Sequence, residues 1–162
     1  MAFFAHIGTG FALKPAAPKA PVILLITAAM SADLVCFLLM ALGVAGESIL
    51  AWTHGLFISG VWALVFGFTS GVILKNARAG VFTGIAVFGH WLIDFITHPM
   101  YGGDMKPDIP LFLEGSPKVG LGLYGNLAAA IIIDLAVLAA GIALYVHYRL
   151  SQAKPPATSP GE

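Results

Sequence analysis

Hydrophobic residues dominate four long stretches of this sequence, which cover residues 21–45, 49–74, 77–98 and 127–148. Each stretch is long enough to cross a bilayer, because a transmembrane helix needs about 20 mainly apolar residues. The pattern therefore predicts an all-α membrane protein with four transmembrane helices.

A fifth apolar segment, residues 1–13, precedes the first long stretch and contains His6. At a rise of about 1.5 Å per residue it is too short to cross the hydrocarbon core. It is long enough for a helix that penetrates half of the bilayer, or for one that lies on the surface. We therefore expect a short N-terminal helix that is either re-entrant or interfacial.

The four stretches and their connections use nearly all of residues 1–150, which we expect to form a single integral-membrane helical domain. The connection 101–125 is rich in Pro and Gly but also carries apolar side chains, so it should fold as a lid on the membrane surface. The segment 151–162 contains several prolines and cannot bury a core. It is predicted to be a disordered cytoplasmic tail.

The composition agrees with a bilayer environment, since 59% of the 162 residues are hydrophobic and only 10% are charged. Soluble domains carry about 25% charged residues. Eight basic and eight acidic residues give no net charge, which argues against a nucleic-acid partner. Membrane lipids are the expected surroundings, and clues to function must be local.

The basic residues between the stretches predict the orientation of the chain. They occur before the first stretch, between the second and third, and after the fourth, at Lys14, Lys19, Lys75, Arg78, Arg149 and Lys154. All these positions lie on one side of the membrane if the chain crosses four times. Because Lys and Arg accumulate on the cytoplasmic side, both termini are predicted to be cytoplasmic.

Two glycine pairs with the spacing of closely packed membrane helices occur in the second and third stretches, as Gly67-x-x-x-Gly71 and Gly80-x-x-x-Gly84. Glycine is common in membrane helices in general. Packing within one chain is therefore favoured over a dimer motif, although a homo-oligomer stays open.

Ionisable residues within the apolar segments are the candidates for function. Such residues cost several kcal/mol in a membrane unless they are paired, bind a metal or line a watery cavity. They are His6, Asp33, His54, His90, Asp94, His98 and Asp134. Counting from the cytoplasmic basic residues at about 1.5 Å each places His6, Asp33 and His90 at a similar depth, near the middle of the membrane.

His90 and Asp94 lie four residues apart, which puts both side chains on one face of a helix. Such a pair can share one metal ion. It can equally form a hydrogen-bonded pair in which the carboxylate orients the imidazole. For Asp134, a protonated structural carboxyl is an open alternative, because desolvation favours the neutral form.

Four motifs in a fixed order carry a family resemblance. They are His6-Ile-Gly8, Ser31-Ala-Asp33, Trp52-Thr-His54-Gly-Leu and Gly89-His90-Trp-Leu-Ile-Asp94-Phe-Ile-Thr97. The set resembles the bacterial family of predicted membrane-bound, metal-dependent hydrolases, roughly over residues 1–130. Where that family has a Pro-Asp-x-Asp-type cluster, this chain has Asp33 alone. The later segments 108–111 and 120–124 are similar to those of an uncharacterised subgroup of bacterial membrane proteins.

The resemblance implies a multi-pass protein of the bacterial inner membrane that hydrolyses a lipid or lipid-linked ester or phosphoester. The expected cofactor is a divalent metal ion, zinc in the first place, held by His54, His90 and Asp94. We expect His6 to complete the ligand set or to act as acid or base. Asp33 should orient a ligand or activate the attacking water.

Two other function classes stay open. A transporter or proton relay would use the same buried His and Asp residues, although the sequence shows no inverted repeat and no pair of broken helices. A non-catalytic structural or assembly subunit would bind haem or a pigment through His54 and His90. The carboxylates argue against haem, because iron in haem does not need them.

Overall fold

The computed structural model describes residues 2–44 and 46–153, and this part of the chain is mostly helical. The helices are α1 (Phe3–Leu13), α2 (Val22–Ala29), α3 (Ser31–Ala41), α4 (Glu47–Thr53), α5 (Leu56–Ile73), α6 (Ala77–Thr97) and α7 (Leu127–Ala153). A 3₁₀ turn follows α1, and two short strands, β1 (Ile109–Pro110) and β2 (Lys118–Val119), lie between α6 and α7. The all-α prediction is confirmed.

Three helical segments are each long and apolar enough to cross a membrane: α6, α7, and α4 together with α5. The pair α2 and α3 qualifies only as one bent unit, with an angle of 60° between its halves. The described part of the chain thus has three candidate spans, or four if the bent pair is one span. The predicted stretch 21–45 corresponds to this pair.

The first two predicted spans are interrupted, which the sequence analysis did not anticipate. In the first, the bend lies at Met30, where the Ser31 hydroxyl donates to the Ala28 carbonyl over 2.8 Å. Hydroxyl groups that bond to the preceding turn often bend helices. In the second, helix α4 ends at Thr53 with His54 as its C-cap, and Gly55 is extended before α5 begins. A methyl group on Gly55 would lie 2.7 Å from the Phe112 carbonyl oxygen, so the break requires glycine.

Helix α1 packs inside the bundle, mainly against α7 and also against α2 and α6. Two glycines allow this close approach. A methyl group on Gly8 would lie 2.6 Å from the Val137 carbonyl oxygen, and one on Gly141 would overlap the backbone of Gly8. The short N-terminal helix is confirmed, and its re-entrant or interfacial position stays a prediction.

The four glycines of the small-residue pairs all lie where α5 and α6 touch. A methyl group on Gly80 would lie 2.6 Å from the carbonyl oxygen of Gly67 and 2.7 Å from the Cα atom of Gly71. One on Gly84 would lie 2.8 Å from the Ala63 carbonyl oxygen. The expected packing within one chain is what the structure shows.

The lid between α6 and α7 is folded, as expected. Strands β1 and β2 pair antiparallel, with Ile109 opposite Val119. The backbone N–H groups of residues 121–124 donate hydrogen bonds to the carbonyl oxygens of residues 95–98. The N···O distances are 2.7 to 3.1 Å. These are the carbonyls that a helix end leaves without partners. The lid therefore caps the end of α6.

The expected disordered tail began at Ser151. Helix α7 continues to Ala153, so the first three residues of that segment, 151–153, are helical. The remainder of the expected tail lies outside the described residues.

Candidate metal centre

Five of the predicted site residues converge in the interior of the bundle. His6 lies on α1, Asp33 in the first turn of α3, His54 at the break between α4 and α5, and His90 and Asp94 on α6. All five are at most 6% exposed. The two helix breaks bring Asp33 and His54 to the same place, and the convergence predicted from the sequence is observed.

The two carboxylates lie among the three imidazole rings. The Oδ1 atom of Asp94 is 3.2 Å from His6 Nε2, and its Oδ2 atom is 3.3 Å from His90 Nε2 and 3.7 Å from His54 Nε2. The Oδ1 atom of Asp33 is 3.3 Å from His54 Nε2 and 3.8 Å from His90 Nε2. The rings of His6 and His90 stack, with centroids 3.8 Å apart. Each carboxylate therefore contacts more than one histidine.

Hydrogen bonds on the far side of two rings define their tautomers. His90 Nδ1 lies 2.7 Å from the carbonyl oxygen of Ala29, so this nitrogen must carry the hydrogen. The Thr53 hydroxyl donates to the Ile49 carbonyl over 2.7 Å, which leaves its oxygen to accept from His54 Nδ1, also at 2.7 Å. In a neutral ring the other nitrogen is then an acceptor. Both rings thus direct an Nε2 lone pair toward the carboxylates.

In these tautomers, the Nε2 lone pairs of His54 and His90 face negatively charged carboxylate oxygens. An imidazole lone pair and a carboxylate oxygen repel each other unless a metal ion or an additional proton lies between them. Among the described residues, His6 Nδ1 and Asp33 Oδ2 are buried without a hydrogen-bond partner, and Nε2 of His6 and of His90 face carboxylate oxygens, the nearest of which belong to Asp94, at 3.2 and 3.3 Å. Buried polar atoms without partners are rare, and an ion that bonds to them is a common explanation. A bound metal ion or an additional proton on an imidazole would remove this repulsion.

The spacing of the donor atoms fits a metal ion. Two overlapping sets, His6–His90–Asp94 and Asp33–His54–His90, each offer three atoms that lie within 4.8 Å of one another. Around a tetrahedral zinc ion with bonds of about 2.0 to 2.1 Å, neighbouring ligand atoms are about 3.3 Å apart. Separations of 3.2 to 3.8 Å are found here. These buried groups could hold a metal ion.

Comparison of the chain with protein-family models, with curated proteins and with solved structures finds no match. The function is therefore inferred from the geometry of the centre and from the sequence motifs.

Two candidate residues lie outside the centre. His98 follows the last turn of α6, and its Nδ1 atom lies 3.0 Å from Asp108 Oδ2 in the lid, where both side chains are partly exposed. Asp134, on α7, accepts hydrogen bonds from the backbone N–H groups of Phe4 and Ala5 and from the Tyr124 hydroxyl. Asp134 thus has a structural partner, which is the N-terminus of α1.

A cavity of about 130 Å³ adjoins the centre between α3, α4, α5 and α6. Thr53 belongs to its wall and also contacts the His54 ring. Most of the wall is apolar, and Trp62 and Phe66 are partly exposed on the outer surface of the bundle. The complete lining is Ser31, Ala32, Val35, Thr53, Ser59, Trp62, Phe66 and Val87.

The groups that orient the rings were not predicted to do so. Thr53 directly precedes His54, and this Thr-His pair could have indicated a hydroxyl beside the ring. The Ala29 carbonyl had no signal, because its contact with His90 depends on the bend at Met30.

Proposed function

We propose that this protein is a membrane-embedded, metal-dependent hydrolase that acts on an ester or phosphoester of a lipid or lipid-linked molecule. The observation that carries the proposal is the buried group of three imidazoles and two carboxylates, which contains two overlapping sets of three donors that could each hold a metal ion. Zinc is the proposed metal, because imidazole and carboxylate ligands with one open position are typical of catalytic zinc sites. The order of the His and Asp motifs supports the same assignment.

His54, His90 and Asp94 are the proposed ligands. Their facing atoms are the two Nε2 atoms and Oδ2 of the carboxylate, which is 3.7 and 3.3 Å from those nitrogens. Thr53 and Ala29 hold the two rings in the required tautomer and orientation. A divalent ion bound there lowers the pKa of a coordinated water toward about 7 and so supplies a nucleophile where bulk water is scarce.

His6 and Asp33 are the proposed acid–base groups. Asp33 Oδ2 has no hydrogen-bond partner among the described residues, so it is free to accept a proton from the attacking water. The Nδ1 atom of His6 is likewise without a partner in that part of the chain and can carry the proton that the leaving oxygen takes. The His6 ring lies against His90, close enough to serve instead as a further ligand.

The cavity beside Thr53 supports a lipid-derived substrate. Its volume of about 130 Å³ equals that of about four water molecules at about 30 Å³ each. An apolar cavity of this kind tends to stay dry and favours hydrocarbon. A segment of an acyl or isoprenoid chain fits it, with access from the lipid between α3 and α5.

We propose that the protein lies in the bacterial inner membrane with cytoplasmic termini, because of the distribution of Lys and Arg.

Metal analysis of purified protein tests the proposal. Wild-type protein should contain stoichiometric zinc and hydrolyse at least one member of a panel of phospholipids and lipid-linked esters. His90→Ala should lose most of the metal and the activity while its helix content stays unchanged. His147→Ala is the matched control, since this exposed histidine on α7 lies outside the centre. Full zinc occupancy in His90→Ala would overturn the proposal.

A proton relay or cation transporter is the second candidate, and the helix breaks favour it. Interrupted helices whose ends meet at a polar site are a feature of many transporters. The bend at Met30 and the break after His54 have this form, although no sequence pattern predicted them. Proton or cation flux in proteoliposomes, from protein that contains no metal, would select this function over hydrolysis.

A further inference from the structure

The N-terminus of helix α1 is capped by a side chain from a distant part of the chain. Its own N-cap residue, Ala2, has no side chain that can accept a hydrogen bond. The carboxylate of Asp134 on α7 replaces it: Oδ2 accepts from the Phe4 N–H over 3.0 Å and Oδ1 from the Ala5 N–H over 2.8 Å. These are among the N–H groups that a helix leaves without partners and that an N-cap side chain normally serves.

A third donor fixes the same carboxylate. The Tyr124 hydroxyl lies 3.2 Å from Asp134 Oδ1, and the tyrosine is almost completely buried. Burial, together with the adjacent carboxylate, raises the pKa of the Tyr124 hydroxyl, so it stays protonated and donates. The Tyr124 backbone N–H donates to the Thr97 carbonyl at the end of α6. The carboxylate therefore connects α1, α7 and the lid.

We propose that Asp134 is a positioning residue that holds His6 in the metal centre. His6 follows Ala5 directly, and its Nε2 atom lies 3.2 Å from Asp94 Oδ1. The Gly8–Gly141 contact brings the backbones of α1 and α7 close together. Asp134 lies two helical turns before Gly141 and supplies the second point of attachment. What His6 does in the centre rests on the proposed hydrolase function.

Asparagine cannot replace this carboxylate. Each oxygen of Asp134 accepts a backbone N–H group, and the amide of asparagine would present an N–H₂ group to one of them. The negative charge also interacts favourably with the positive end of the α1 dipole. Asp134→Asn should therefore displace the first turn of α1, which carries His6.

Zinc affinity in two backgrounds tests this inference. With His6 as the further ligand, Asp134→Asn should weaken zinc binding by up to about tenfold, the lower end of the loss seen when a direct partner of a ligand is removed, because Asp134 acts through the α1 backbone. In a His6→Ala background the same substitution should have no further effect, because a residue that acts only through His6 has nothing left to position. Asp108→Asn in the lid is the matched control and should leave affinity unchanged. Equal losses in both backgrounds would overturn the inference.

A second measurement needs no metal. Diethyl pyrocarbonate should modify His6 slowly in metal-free wild-type protein and faster in Asp134→Asn, while His147 reacts equally in both. If Asp134→Asn does not fold, Tyr124→Phe should give a smaller increase in the same direction, with Tyr145→Phe as its control. An unchanged rate at His6 in these variants would refute the role of Asp134. A wild-type protein without zinc would refute the hydrolase proposal but leave this labelling result to decide the inference.

Discussion

The hydroxyl of Thr53 provides a sharp test of the centre, because it touches His54 without being a ligand. Thr53→Val keeps the shape of the side chain and removes the acceptor of the His54 Nδ1–H group, now 2.7 Å away. The ring is then free to rotate or to change its tautomer. Loss of such a partner lowers metal affinity about tenfold to hundredfold, which corresponds to about 1.4 to 2.7 kcal/mol.

Zinc affinity can be measured by competition with a chelating dye in detergent. Thr83→Val is the matched control, because the Thr83 hydroxyl donates to the carbonyl four residues earlier, as that of Thr53 does, and is equally buried. Among the described residues, the Thr83 hydroxyl makes no hydrogen bond to the five residues of the centre, so only helix stability should respond. The role of Thr53 would be refuted if Thr53→Val and Thr83→Val bound zinc with the same affinity as wild type.

Three further predictions follow from the fold and the centre. Gly141→Ala should destabilise the protein by about 1 to 3 kcal/mol, because the added methyl group would overlap the Gly8 backbone. Thermal unfolding measures this loss. Gly60→Ala is the control and should have little effect, because the space around Gly60 is open. Chelation should lower the unfolding temperature of the wild type but not of His90→Ala, since a bound ion stabilises only the folded state; identical shifts would contradict a bound metal. Reporter fusions should read outside, inside and outside after residues 45, 76 and 115, and a cytoplasmic signal at the last position would reverse the orientation.

The sequence predicted those features that depend on the cost of placing groups in a membrane. Long apolar stretches identified the helices, because an unpaired backbone group in lipid is expensive. Buried His and Asp residues stood out for the same reason, and five of them meet in one place. Counting residues along each helix also predicted that His6, Asp33 and His90 lie at a similar depth in the membrane.

The remaining features depend on contacts between distant parts of the chain. The bend at Met30 lies in a mainly apolar stretch without proline or glycine at the break, and one serine, Ser31, is too weak a signal to predict it. Asp134 reaches backbone groups 129 and 130 residues away, which any residue type could supply. Side-chain patterns do not encode such partners, and the structural role of Asp134 could not be separated from that of a protonated carboxyl.

The close contact between Gly8 and Gly141 determines when the centre can be completed during synthesis. Helix α1 is synthesised before α7, but the main surface that receives it belongs to α7. Before α7 is inserted, only the smaller contacts of α1 with α2 and α6 hold His6 near Asp94. A nascent chain that lacks α7 would carry all five site residues without the helix that anchors α1. Completion of the site is therefore coupled to the synthesis of α7.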